Sequence, residues 1–338
     1  MRRTGTRLRA CDSPTRTQEY KEADLPILSE VLCAAELVLL HAAPSYYGFG
    51  ITHGDGSAVV LIPASLCSDA YLTPFHQWLA RIGYRPFFSG IGFNTECPNL
   101  LIRRQLNDTI EKALTKFGRK IHPIGHSLGG IIARAIAAHR PADIASVITL
   151  GAPFRGTVAH RSILRAAEMV RRRILSKHGS DVLPHCYTGH CTCDFLDSLR
   201  HSMPASVAET AIYSEGDGVV DWRYCKTDRP DADFRVSGTH IGLVFNPSAY
   251  SIIAKRLARA SSEATSRLRK NSKMPVRPWK SGPSGPRKSS IINRGFSPGG
   301  RSCAPGGLFP QPVRAASRET NERPSAPARI ALSNYKIF

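Results

Sequence analysis

Short, largely apolar runs, of which Ala58–Ile62 is continuous, alternate along this chain with stretches in which apolar residues recur every three or four positions. The runs are Ala58–Ile62, Tyr84–Phe88, Ile121–Ile124, Val147–Leu150, Ala211–Tyr213 and Phe234–Val236. A run with no polar alternation suits a strand buried on both faces, as in a parallel sheet. Between the runs, Phe75, Trp78, Leu79 and Ile82 share one helical face. Ile102, Leu106, Ile110, Leu114 and Phe117 mark an amphipathic helix that Gly118 ends. A small-residue helix, Gly130–Ala138, and a closing helix, Ala249–Ala258, complete the rhythm. Regular strand–helix alternation predicts an α/β class with a mostly parallel sheet flanked by helices.

Two stretches depart from that rhythm. Leu25–Ala43 is apolar but interrupted by Glu30, Glu36 and His41. That is too polar for a membrane span and predicts a helix packed on the domain or lying at an interface. The region from Phe154 to Ala208 holds a helix with Ile163, Leu164, Ala167, Val170, Ile174 and Leu175 on one face, while Arg161, Arg165 and Arg171–Arg173 lie mostly elsewhere. It reads either as an ordinary surface helix or as a lid that leaves the site on meeting a lipid surface.

Composition changes this picture chiefly at the ends. The net charge is +20, but from Ala264 onward 15 Lys/Arg face only 2 Asp/Glu, and 10 of the 24 prolines fall there. Such a segment, without apolar period, is expected to be disordered. The reading is therefore a basic disordered N-terminus over 1–24, a folded domain over 25–260 with a helical lid or cap insertion at about 154–208, and a disordered basic Pro/Ser/Gly-rich tail over 261–338. The tail is read as a solvated extension, with contact to an anionic membrane surface or to nucleic acid as alternatives. No nucleic-acid motif accompanies it, which weighs against the last.

The N-terminus is basic (Arg2, Arg3, Arg7, Arg9) but no apolar h-region follows directly. A cytoplasmic or membrane-peripheral location is thus expected, although an upstream start would hide an export signal. Nine cysteines lean towards export. Cys186, Cys191, Cys193 and Cys225 cluster late, with His185 and His190 nearby. Disulfides, free thiols and a metal site all remain open there, but the spacing matches no common zinc pattern, and the reading calls for no metal and no cofactor.

The candidate chemistry centres on Gly125-His126-Ser127-Leu128-Gly129, a G-x-S-x-G elbow between the Ile121–Ile124 strand and the following helix. A serine on such a turn projects its hydroxyl above the sheet, and the helix N-terminus aims free N–H groups at a developing oxyanion. Downstream, Ser214-Glu215-Gly216-Asp217-Gly218 and Gly238-Thr239-His240-Ile241-Gly242 each follow a predicted strand, where ligands bind in open α/β sheets. Asp221 and Glu215 compete with Asp217 for the acid, and His122, His126 and His160 with His240 for the base. Only His240 follows the acid on a late loop.

These segments, with Leu150-Gly151-Ala152-Pro153-Phe154-Arg155-Gly156, together resemble the α/β-hydrolase fold superfamily, in the branch of bacterial triacylglycerol-lipase-like serine esterases, over about residues 58 to 258. The resemblance implies Ser127 as nucleophile, His240 as general base and then acid, and Asp217 as the carboxylate orienting His240. It implies cleavage of a small-molecule or lipid carboxylic ester through an acyl-enzyme, with an oxyanion hole from the Leu128 N–H and one N–H of the loop after the first buried strand. Family members usually carry His-Gly or Pro-Gly in that loop; here Pro63-Ala64-Ser65 stands instead, pointing to the Ser65 N–H. A weakly active or non-catalytic binding protein, or an acyltransferase using the same triad, are the alternatives. Pro123, inside a strand expected to be central, is a second departure, read as local tolerance or relaxed constraint.

Overall fold

The computed structural model describes residues 19–227 and 229–272. The expectations for a disordered N-terminus and tail fall mostly outside these residues. In chain order the strands are β1 (Glu19–Ala23), β2 (Ala58–Ile62), β3 (Arg85–Phe88), β4 (His122–His126), β5 (Ser146–Leu150), β6 (Gly156–His160), β7 (Ala208–Ser214) and β8 (Asp233–Val236). The α-helices are α1 (Cys33–Ala42), α2 (Thr73–Arg81), α3 (Pro98–Leu101), α4 (Asn107–Phe117), α5 (Leu128–His139), α6 (Arg161–His178), α7 (Asp194–Arg200) and α8 (Pro247–Ser272). A π-helical turn, Ile102–Leu106, joins α3 to α4. The apolar spacing of four in this stretch outruns a 3.6-residue period, and the wider turn takes up part of that drift.

Six strands form one parallel sheet in the order β3-β2-β4-β5-β7-β8. This is the α/β class with the mostly parallel sheet that the apolar runs predict. The reason is visible in β2. Ala58, Val60 and Ile62 enter one core with α4, α5 and α7, whereas Val59 and Leu61 enter the opposite core with α2 and α8. Both faces of the strand are covered, so no position in it can be polar.

Pro123 is accommodated by a local irregularity. It stands opposite Val60 of β2, but the ladder to β5 begins only at Ile124↔Ile148, after a bridge at Ile121↔Ile144. Three steps on the Pro123 strand thus span four on its partner, a bulge in the partner opposite the residue that lacks a donor.

The remaining pair, β1 with β6, makes a separate two-stranded parallel sheet. Neither segment carries an apolar pattern, so pairing between distant segments, not propensity, defines them. The described elements thereby reach past the expected 25–260 span at both ends. β1 lies before it, and α8 continues to Ser272 because no Gly or Pro interrupts residues 249–272.

Candidate active site

Ser127 occupies the turn between β4 and α5 at φ 52°, ψ −123°. A residue with a side chain adopts such backbone at a cost of about 1–3 kcal/mol, and only where the surroundings over-determine it. They do so here. The Ser127 N–H donates to the Leu150 carbonyl at 2.8 Å, and its own carbonyl accepts from Gly130 at 2.9 Å and Ile131 at 3.2 Å. A Cβ on Gly125 would strike the Gly129 carbonyl, and one on Gly129 would strike the carbonyls of Ile62 and Pro63. Glycine at both flanks is what lets β4, α5 and the end of β2 meet at the serine.

The candidate acid and base lie on the loops after β7 and β8. Asp217 is buried; its Oδ1 accepts the N–H groups of Val219 at 2.9 Å and Val220 at 2.8 Å, and its Oδ2 lies 2.6 Å from His240 Nδ1. With Nδ1 donating to the carboxylate, Nε2 of a neutral ring is left as the acceptor. Burial disfavours the charged imidazole, yet the Asp217 carboxylate, with Glu30 behind it, outweighs burial and raises the His240 pKa above its ordinary value. Ser127 and His240 both line one cleft. No hydrogen bond joins them among the described residues.

The competing side chains have other partners. Asp221 caps the turn Trp222–Cys225 by accepting the Arg223 N–H at 3.0 Å, and Glu215 pairs with Arg235. His122 Nδ1 lies 2.7 Å from Ser146 Oγ within the core, where burial lowers its pKa to about 4. His160 caps α6. His126 is held neutral by burial and by its neighbour His240. Its Nε2 lies 3.0 Å from the His240 carbonyl and so donates, leaving Nδ1 to accept from Tyr71 Oη at 2.9 Å. Tyr71 Oη in turn accepts the Ala64 N–H at 2.9 Å. A chain of hydrogen bonds therefore joins the loop after β2 to the backbone of the histidine.

That loop carries the expected second oxyanion donor. The N–H groups of Ser65 and Leu128 have no acceptor among the described residues, whereas Leu66, next to Ser65, donates to the Asn94 carbonyl at 3.0 Å. Asn94, fully buried, also donates from its side chain to the Pro63 carbonyl at 2.8 Å. Leu66 bears a left-handed φ of 63°. The loop turns without a glycine, and Asn94 braces it. The hydroxyl of Ser65 lies 3.1 Å from Tyr187 Oη of the insertion.

The cleft measures about 480 Å³. Leu128 and Ile131 of α5, Ile163 and Ala167 of α6, and Phe195 and Leu196 of α7 give it apolar walls, so the insertion forms one side of it. Five cysteines, Cys67, Cys97, Cys186, Cys191 and Cys193, also line it. All seven described cysteines are unbridged, and no cluster of metal-ligating side chains occurs among the described residues. A larger cavity of about 710 Å³ lies at the amino ends of the strands, among charged side chains such as Arg119, Asp143 and Arg256, away from Ser127. No helix among the described residues is long and apolar enough to cross a membrane.

Sequence reasoning missed Tyr71, Asn94 and the buried carboxylate of Glu30. Asn94 and Glu30 act through backbone groups far away in the chain, and Tyr71 through the distant side chain of His126, so no local pattern announces them.

A family described as PGAP1-like alpha/beta domain matches residues 99–209, a stretch that includes the elbow. Among solved structures the chain is similar to a monoacylglycerol lipase from Paleococcus ferrophilus, at 15% identity over 62% of this chain and 97% of that one, with a TM-score of 0.41. It is also similar to the Bacillus licheniformis lipase BlEst2 in its propeptide form, at 14% identity over 61% and 51%, TM-score 0.42. A third is a carboxylesterase structure from Nitrososphaera gargenis, at 18% identity over 62% and 94%, TM-score 0.40. No curated protein matches the chain in sequence.

Proposed function

For a chain of the α/β-hydrolase fold, we propose the activity of a serine hydrolase that cleaves carboxylic esters through an acyl-enzyme. The observation that carries this reading is the 2.6 Å contact from His240 Nδ1 to Asp217, which leaves Nε2 free as a base beside the cleft that Ser127 also lines. Ser127 Oγ attacks the ester carbonyl as His240 Nε2 takes its proton. The oxyanion receives the N–H groups of Leu128 and Ser65. His240 then protonates the departing alcohol, and a water activated by the same nitrogen releases the acid. Asp217 stabilises the imidazolium that forms between steps. The apolar walls suit an acyl chain better than a charged one.

Hydrolysis of p-nitrophenyl acetate, butyrate and decanoate tests the reading. Wild-type protein is expected to turn over at least one of these esters, and Ser127→Ala to lose about a thousandfold or more. A variant that keeps the wild-type rate contradicts it.

A further inference from the structure

The stretch from Leu25 to Ala43 carries two carboxylates, and both turn inward. Glu30 lies in the turn Ile27–Leu32 and is only 7% exposed. Its Oε1 accepts the N–H of Gly218 at 2.9 Å and of His240 at 3.0 Å, and its Oε2 accepts the N–H of Ile241 at 2.9 Å. Glu36 of α1 accepts the N–H of Thr239 at 2.8 Å and its hydroxyl at 2.6 Å. The fit is close: a Cβ on Gly242 would run into the Glu36 carboxylate. Meanwhile Leu28, Val31, Leu32, Val38 and Leu39 of the same segment are exposed. A surface helix ordinarily does the reverse, apolar side in and charge out. Buried carboxylates are tolerated only where hydrogen bonds satisfy them.

We propose that Glu30 is a positioning residue, a clamp that binds the loop of Asp217 to the loop of His240 and holds the imidazole against its carboxylate. The inference rests on reading Ser127, Asp217 and His240 as a triad. Gly218 directly follows Asp217 in sequence, so one carboxylate grips both loops at the residues that must stay in register. All three partners are N–H donors. A glutamine offers one oxygen and one NH2, so it must turn a donor towards a donor, and an aspartate falls one methylene short. The clamp also contributes charge. The groups facing His240 are Asp217 from the loop after β7, His126 from β4, which burial keeps neutral, and Glu30 from the N-terminal segment. Glu36 reaches only Thr239. Removing the Glu30 charge therefore lowers the pH at which His240 becomes a base.

The test compares wild type, Glu30→Gln, Glu30→Asp and Ser127→Ala in two readouts: the pH profile of p-nitrophenyl butyrate hydrolysis, and the downfield proton resonance of His240 Nδ1–H. Glu30→Gln is expected to lose about tenfold in kcat with little change in KM, equivalent to one hydrogen bond to a charged group. Its acid limb should move to lower pH, and its Nδ1–H resonance should broaden or vanish. Glu30→Asp should lose kcat while keeping the limb in place, and it decides the matter if the glutamine variant does not fold. Wild-type kcat in Glu30→Asp, or an Nδ1–H resonance and limb unmoved in Glu30→Gln, overturns the clamp. If wild type shows no Ser127-dependent turnover, the hydrolase reading fails separately. The resonance still decides the clamp, which stands if Glu30→Gln loses the signal and falls if it keeps it.

Discussion

Burial alone would make His240 hard to protonate, but the Asp217 carboxylate at 2.6 Å and Glu30 behind it hold its pKa above the ordinary imidazole value. As a base, His240 must be neutral, so kcat/KM should fall as pH drops through that raised pKa and level off above it. Asp217→Asn removes the charge and can leave the ring proton on the wrong nitrogen. We expect a loss of about ten-thousandfold in kcat, with the acid limb of the pH profile displaced to lower pH. An unchanged profile would show that Asp217 does not govern the base. At this scale the sequence was informative wherever the signal was local. The elbow, an Asp-Gly pair after one strand and a Thr-His-Ile-Gly stretch after the next single out Ser127, Asp217 and His240. Glu30 was visible only as a polar interruption, because its partner His240 lies 210 residues away and is gripped through a backbone N–H. No residue-type pattern encodes such a contact.

Elements bring these side chains within reach, and the elbow is where their packing is tightest. Gly129 opens α5, where alanine would ordinarily favour the helix. Here an added Cβ meets the carbonyls of Ile62 and Pro63, which are backbone and cannot rotate away. Gly129→Ala should therefore destabilise the protein by about 1–3 kcal/mol or more, read as a lowered thermal midpoint. It should also push on the loop of Ser65, so ester hydrolysis should fall further than stability alone explains. A midpoint equal to or above that of wild type would contradict this packing. Among the strands of the main sheet β2 was the most legible, because burial on both faces leaves an uninterrupted apolar run, while β5 keeps an apolar run broken only by Ser146 and Thr149. β1 and β6 were not, since five-residue segments paired across more than a hundred residues carry no periodic signal of their own.

Across the whole molecule, charge and chemistry separate. Most of the excess positive charge lies from Ala264 onward, beyond the last buried contacts of α8 at Ala260 and Ser261. We propose that this tail serves contact with anionic membrane surfaces and takes no part in the reaction. Removing residues 273–338 should leave ester hydrolysis and the thermal midpoint unchanged while abolishing salt-sensitive binding to phosphatidylserine vesicles. Full-length protein that does not bind such vesicles at low salt would end that proposal. The proposed chemistry turns on one hydroxyl, that of Ser127. Incubation with a fluorophosphonate, followed by peptide mass analysis, reads it directly. One adduct per chain is expected, on Ser127, absent from Ser127→Ala and slowed in Asp217→Asn. A correctly folded wild-type protein that stays unmodified, or carries its adduct on another residue, would contradict it.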